Sequence, residues 1–171
     1  MQMKPYPWKC PTCREKSVQP AVVDYRASLQ HDGIPCDIQI AQLSVPRCER
    51  CGALVMIDSA CKAVSDALRD AAGVLKPETI QQNREAVGLS PEELAELMGV
   101  GAATLERWES GGQIQSRCQD RLLRSFFQSP DIRRVLLTGG TWRAVGEQVV
   151  SEEQAQNGIR SNELVPLENC A

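Results

Sequence analysis

Apolar residues recur along this chain with two different periods, and the change of period divides it. From Ala21 to Leu29, and again from Ile34 to Val45, they alternate with polar residues, as Ile38, Ile40 and Leu43 do, which is the pattern of strands with one buried face. His31-Asp32-Gly33 between the two runs is a natural hairpin turn. Leu54 to Ile57 reads as one more short strand. From Asp58 the spacing becomes helical: Asp58 to Ala72 is rich in alanine, places Val64, Leu68 and Ala71 on one face, and has Asp58 or Ser59 to cap its start and Gly73 to end it. It reads as a connecting helix that packs weakly on one of its neighbours. Pro77 suits a first helical position, and the helix that follows, Glu78 to Val87, turns Ile80, Arg84 and Val87 inward before Gly88 stops it.

The stretch around which the rest is arranged runs from Leu89 to Gly112. Leu94, Ala95, Leu97 and Met98 form one helical block and Leu105 and Trp108 a second, with Gly99 between them and Gly111-Gly112 after. Ser90, Pro91 and Glu93 fill the N-cap, N1 and N3 positions of a capping box. Helices this short do not stand alone in water, so they must pack on each other and on their flanks. The economical reading is a helix-turn-helix whose second helix starts near Ala102 and ends near Glu109. Ser116 to Phe127 makes a further helix, with Leu122, Leu123, Phe126 and Phe127 as core or as a pairing surface. Pro130 ends it, and Asp131 to Leu137 forms one last short helix. Gly139-Gly140 breaks the pattern, and from about Ala144 the acidic, Gln-rich end reads as a poorly ordered tail in which Val145 to Val150 could dock.

A length of 171 residues accommodates two small domains, and 4% aromatic content excludes an aromatic-rich core. No apolar run approaches a membrane span and Met1 to Cys10 lacks the apolar centre of a signal peptide, so the expected setting is cytoplasmic, with no membrane partner. The net charge of -3 conceals a basic band: Arg107, Arg117, Arg121, Arg124, Arg133, Arg134 and Arg143 stand against only Glu109, Asp120 and Asp131, between acidic flanks. Such a band suits phosphates, and a solvated arginine-rich face is the alternative.

Four of the eight cysteines form two Cys-X-X-Cys turns, Cys10/Cys13 and Cys48/Cys51, which together offer four thiolates to one tetrahedral site. With no histidine in the set, one structural Zn2+ is expected; a rubredoxin-like iron has the same ligands, and a redox role is the weaker reading because the βαβ context is missing. Gly52 can take the open backbone geometry after the second turn, whereas Arg14 makes the first knuckle less ideal. A domain this small buries little core, so metal would supply much of its folding energy, of order 10 kcal/mol. Cys36, Cys61 and Cys118 read as small buried apolar residues, and Cys170 as exposed on the tail. An enzyme is not indicated: the single histidine, His31, reads as a solvated turn residue, no loop cradles phosphate, and the carboxylates are scattered over exposed helix faces. The fold class expected is therefore α+β with two domains. Residues 1–57 form a zinc-ribbon-like β module, 58–76 a connecting helix or linker, 77–137 an all-α helix-turn-helix domain, and 138–171 an acidic, largely disordered tail.

Arg84, Gly88-Leu89-Ser90, Glu93-Leu94-Ala95, Gly99-Val100, Thr104-Leu105, Arg107-Trp108-Glu109 and Gly111 resemble the Xre/Cro-type helix-turn-helix. Preceded by two Cys-X-X-Cys knuckles, the order from about Lys9 to Leu137 resembles MqsA-type antitoxins with a YgiT-type zinc finger. The resemblance implies a zinc domain that binds a ribonuclease toxin and a helical domain that dimerises and represses its own operon at a palindromic double-stranded operator. It implies Cys10, Cys13, Cys48 and Cys51 as zinc ligands, Arg107 as a DNA-contacting arginine, and Arg84 with Glu109 as a structural ion pair. The chain departs from the pattern where Ala103 replaces an asparagine and where Pro91 stands in place of a phosphate-contacting glutamine. Base readout then falls to Thr104 and Arg107, with Gln113 and Gln115 assisting and Arg117 and Arg121 on phosphates, since alanine does little beyond touching a thymine methyl. The competing reading is an interaction module whose degenerate helix-turn-helix serves pairing alone.

Overall fold

In the computed structural model, which describes residues 5–139, strand pairing follows the alternation read from the sequence. Strands β3 (Val22–His31) and β4 (Ile34–Ser44) pair antiparallel, from Val22 opposite Ser44 to His31 opposite Ile34. Asp32 and Gly33 join them with positive φ at both positions, 51° and 73°, as a type I′ hairpin turn requires. Between the Val23–Leu43 and Tyr25–Ile40 pairs, one residue, Asp24, faces two, Ala41 and Gln42. This is a bulge, with Gln42 at φ 53° and its amide donating to Asp24 Oδ1 at 3.1 Å. The extra residue turns Leu43 and Val45 to the same buried side as Cys36 and Ile38.

A second sheet carries the knuckles. Its strands β1 (Trp8–Lys9), β2 (Lys16–Gln19) and β5 (Arg47–Cys48) lie in the order β1-β2-β5, all antiparallel. The strand expected over Leu54 to Ile57 contracts to a single bridge between Leu54 and Arg47. Its register is lost because the chain turns at once into α1 (Asp58–Ala72).

Helix α1 begins from an Ile57 N-cap that offers no side-chain bond, so Asp58 lies in the first turn instead of capping it, while Gly73 closes the helix at φ 68°. Contrary to the weak packing expected, α1 lies firmly on the hairpin. Ala60 and Ala63 meet Leu43, Val45 and Tyr25, and Leu68 and Ala72 meet Cys36 together with Val74 and Ile114. The buried side chains of α1 are Ala60, Arg69 and Ala72, whereas Ala71 is exposed.

Five helices complete the described chain: α2 (Pro77–Ala86), α3 (Pro91–Leu97), α4 (Ala102–Glu109), α5 (Arg117–Gln128) and α6 (Pro130–Thr138). Ile80, Leu94, Ala95, Met98, Leu105, Trp108, Leu123 and Phe126 form their common core. Pro130 starts α6 instead of merely ending α5, which suits proline because its missing N–H is not required in a first turn. The architecture is α+β: a small β module of two antiparallel sheets followed by six helices. The tail, with Val145 to Val150 and Cys170, lies outside the described residues beyond Gly139.

Candidate metal centre and nucleic-acid interface

Each knuckle is built by the same local device. The Arg14 amide donates to the Cys10 carbonyl at 2.9 Å and the Gly52 amide to the Cys48 carbonyl at 2.8 Å, each turning the chain by residues at φ 63° and 74°. Arg14 thus adopts the left-handed geometry that Gly52 takes freely, at a cost of about 1–2 kcal/mol for a residue with a Cβ. Strands β2 and β5 then bring the two turns face to face, and all four Sγ atoms lie within 4.8 Å of one another. Cys10 to Cys51 and Cys13 to Cys48 are both 3.6 Å. A tetrahedral ion with metal–sulfur bonds of about 2.3 Å has sulfur–sulfur edges of about 3.8 Å, so the cluster is already near the size that one ion requires.

The electrostatics of the thiols agree with that fit. Ser17 Oγ lies 3.1 Å from Cys48 Sγ, and this hydroxyl, followed by the Cys51 amide, pushes the Cys48 thiol down to about 6 against the opposing effect of burial. The Cys13 amide likewise lowers Cys10. Cys13 moves the other way: although the Glu15 amide lowers it, burial and its sulfur neighbours Cys48, Cys10 and Cys51 push it up to about 12. Local dipoles lower Cys10 and Cys48 while Cys13 is raised by its sulfur neighbours, so a cation bound among them would favour ionisation of the whole set. Ser17, one contact beyond the four thiols, is invisible in the Cys-X-X-Cys spacing; it is found only once β2 is paired with β5.

The knuckle cluster is small. Val18 is its one fully buried aliphatic residue among the described residues, enclosed with Cys10 and Cys48 and flanked by Trp8, Ala53 and Val55. The seven cysteines among the described residues are free. Of the three expected to be buried, Cys36 is, whereas Cys61 and Cys118 are exposed, Cys61 near the start of α1 and Cys118 near the start of α5.

In the helical part, Ser90 and Glu93 form the reciprocal capping box, with the Ser90 amide donating to Glu93 Oε2 at 2.7 Å and the Glu93 amide to Ser90 Oγ at 3.2 Å. The first of these bonds, with the Ser90 hydroxyl, holds the Glu93 carboxyl below its ordinary range. Arg84 Nε and Nη2 donate to the two oxygens of Glu109 at 2.7 and 2.9 Å, and Nη1 to the Leu89 carbonyl at 2.9 Å. The Glu109 bonds raise the Arg84 guanidinium above its usual value despite burial. The pair ties α2 to the end of α4.

On α4, Leu105 and Trp108 point into the core and Ala102, Ala103, Glu106 and Arg107 are exposed. Arg107 Nη2 donates to Thr104 Oγ1 at 3.2 Å, so these two side chains share one face. Gln113 is exposed, with its amide donating to the Arg107 carbonyl at 3.0 Å, and Arg121 is exposed on α5. Gln115 and Arg117 are differently placed. Gln115 is 1% exposed and donates to the Leu75 carbonyl and Asp120, so it is a buried brace and not a base reader. Arg117 is half-buried, its Nη2 3.5 Å from Cys36 Sγ and its Nε enclosed without a hydrogen bond. That placement takes its guanidinium away from the role expected of it on phosphates. His31, expected in solvent, is 8% exposed, because the hairpin tip is laid on the start of α5.

A β module with four clustered thiols followed by a helical domain built around a capped helix pair defines a class in which a module able to hold one metal ion is fused to a helical one. Over residues 8–136 the chain matches the family described as the antitoxin component of a bacterial toxin-antitoxin system, MqsA, and it belongs to that family. No individual curated protein matches it.

Proposed function

We propose that this chain is a non-enzymatic antitoxin that binds double-stranded operator DNA through the exposed face of α4 and represses its own operon. Its knuckle module, holding one structural Zn2+ on Cys10, Cys13, Cys48 and Cys51, binds the toxin. The working form is a cytoplasmic homodimer joined through the helical domain, where Ile132, Val135 and Leu137 of α6 are exposed apolar residues, and its operator is correspondingly palindromic.

The observation that carries the reading is the pairing of half-buried Thr104 with exposed Arg107 on a helix whose opposite side is fixed in the core by Leu105 and Trp108. Arg107 is the base reader, Thr104 orients it, Ala103 offers at most an apolar contact, and Gln113 and Arg121 meet the flanking backbone. Gel-shift titration with the DNA upstream of its own reading frame tests this. Arg107→Ala should cost about 1–3 kcal/mol of binding and relax the preference for that duplex. Unchanged binding by the variant would remove the assigned role.

One feature favours a second reading. Glu92, Glu106 and Glu109, with Gln81, Pro91, Ala102, Ala103 and Ser110, line a cleft of about 570 Å³ beside α4. An acidic hollow suits a cationic protein surface better than phosphates. An interaction module that does not read sequence would retain the upstream duplex and an unrelated one equally, and only weakly.

A further inference from the structure

The β3–β4 hairpin is a sheet of two strands, so each strand keeps one edge that the other does not fill. The two edges differ. That of β4 is interrupted by Pro35, which has no N–H to offer, and by the bulge at Gln42. Strand β3 carries no proline, lysine or extra residue over its 10 positions, and among the described residues no strand lies beside its outer edge. Because the two-residue turn makes His31 and Ile34 a hydrogen-bonded pair, alternation directs the backbone groups of Leu29, Ala27 and Tyr25 to β4 and those of Ser28, Arg26 and Asp24 outward. The inner face is uneven in the same direction. Cys36, Ile38 and Leu43 on β4 are buried, with Ile40 half-buried, whereas Val23, Tyr25, Ala27 and Leu29 on β3 are all only half-buried.

We propose that the outer edge of β3 pairs antiparallel with the same edge of a second copy of this chain, about a dyad at Tyr25, so that the two hairpins make one four-stranded sheet. Charge complementarity selects both the occupant and the register. With the dyad at Tyr25, Asp24 of each copy stands opposite Arg26 of the other, and both residues have outward backbone groups, so each such pair is a hydrogen-bonded one. Val22 and Ser28 form the next outward pair. On the inner face Tyr25 meets Tyr25 and Val23 meets Ala27, which continues the half-buried row with an apolar one. A dyad one residue further along, at Arg26, would set like charges opposite each other. Arg26 is exposed and has no ion pair among the described residues, and Asp24 uses Oδ1 on the Gln42 amide at 3.1 Å. This contact is separate from the helical-domain pairing proposed above, which rests on α6.

Amide hydrogen exchange on the full chain loaded with Zn2+, read residue by residue by NMR, reports this edge whatever α6 does. The outward amides of a solitary hairpin face water, whereas in the pair those of Asp24, Arg26 and Ser28 should be protected about a hundredfold at high chain concentration and should lose that protection on dilution. Gln30 falls opposite Pro20, beyond the paired stretch, so its outward amide should exchange fast throughout. Arg26→Asp sets carboxylates against each other and should abolish the protection, and Asp24→Arg should do the same with guanidinium groups. An equimolar mixture of these two variants re-forms both opposite-charge pairs, so protection should return, which chains that had merely misfolded would not achieve. Fast exchange of Asp24, Arg26 and Ser28 in the concentrated wild type, protection that survives Arg26→Asp, or a mixture that stays unprotected overturns the proposal. Protection that appears only when the protein encoded beside this chain is added assigns the edge to a foreign strand and overturns self-pairing as well.

Discussion

Glu109→Gln tests how the α2–α4 frame is held. The substitution keeps the shape of the side chain but removes the charge that accepts Arg84 at 2.7 and 2.9 Å. Arg84 is 7% exposed, and the Glu109 side chain 12% exposed, so the guanidinium left behind cannot recover its hydration. Removal of one partner from such a pair costs about 3–5 kcal/mol. Two features place the expected value near the lower end: Glu85 Oε1 remains 3.9 Å from Arg84 Nη2, and the bond to the Leu89 carbonyl survives. A loss of about 3 kcal/mol is a shift of roughly 6–12 °C in Tm for a chain of this size. Replacement of both residues, Arg84→Met with Glu109→Met, removes the charge and its counter-charge together and should return stability to within about 1 kcal/mol of wild type. Urea denaturation followed by helical circular dichroism compares wild type, Glu109→Gln and the double variant. A single variant that loses less than about 1 kcal/mol, or a double variant as unstable as the single, would refute this account of the frame.

Two further outcomes are expected. Chelation, or Cys48→Ser, should abolish the ordered β1-β2-β5 sheet while α2 to α5 persist, because Val18 is the one fully buried aliphatic residue in the knuckle cluster; one equivalent of Co2+ restored to the apo protein should give thiolate charge-transfer absorption, and a helical domain lost along with the sheet would contradict this. Glu93 has a depressed folded-state pKa, so its contribution to stability is fully present above its unfolded value near ~4.3 and is lost as pH falls through the folded one. Glu93→Gln should flatten the acid limb of the Tm–pH curve, and an acid limb identical to wild type would show that the capping box carries no such linkage.

The parts of the fold that were legible in the sequence are those set by neighbours along the chain. The hairpin, the capping box, the glycine-terminated helices and the Cys-X-X-Cys turns are each decided within a few residues. The bulge at Gln42 left a trace, since Ile40 and Leu43 are three apart where strict alternation puts them two apart. What was not legible depends on contacts across long separations. Arg69, on an alanine-rich helix, is 1% exposed, because its guanidinium reaches the Gly111 and Gln113 carbonyls at 2.9 and 3.3 Å. Cys61 and Cys118 follow no local rule either, since burial of a small residue is decided by which helix face meets a neighbour. The same applies to the candidate site: four thiols were evident from spacing, while Ser17 and the commitment of Gln115 and Arg117 to packing required the tertiary pairing.

These long-range contacts change what the connector does. A linker that only tethers would leave its polar groups in water, whereas α1 and the residues after it carry a continuous buried network. Asp120, 4% exposed, accepts from the Leu75 amide at 2.6 Å, from Gln115 and from Arg124, and Arg124 donates in turn to the Gly73 carbonyl. Sliding one module against the other would unpair Arg69 and Asp120 while they remain buried, at several kcal/mol for each ion. The hairpin bearing Asp32 lies wholly between Cys13 and Cys48, so an ion that joins the two knuckles also closes the loop whose tip rests on α5. Loop closure removes disorder from the unfolded hairpin. An ion bound in the β module would thus favour, through the chain itself, the contact that the first turn of α5 makes.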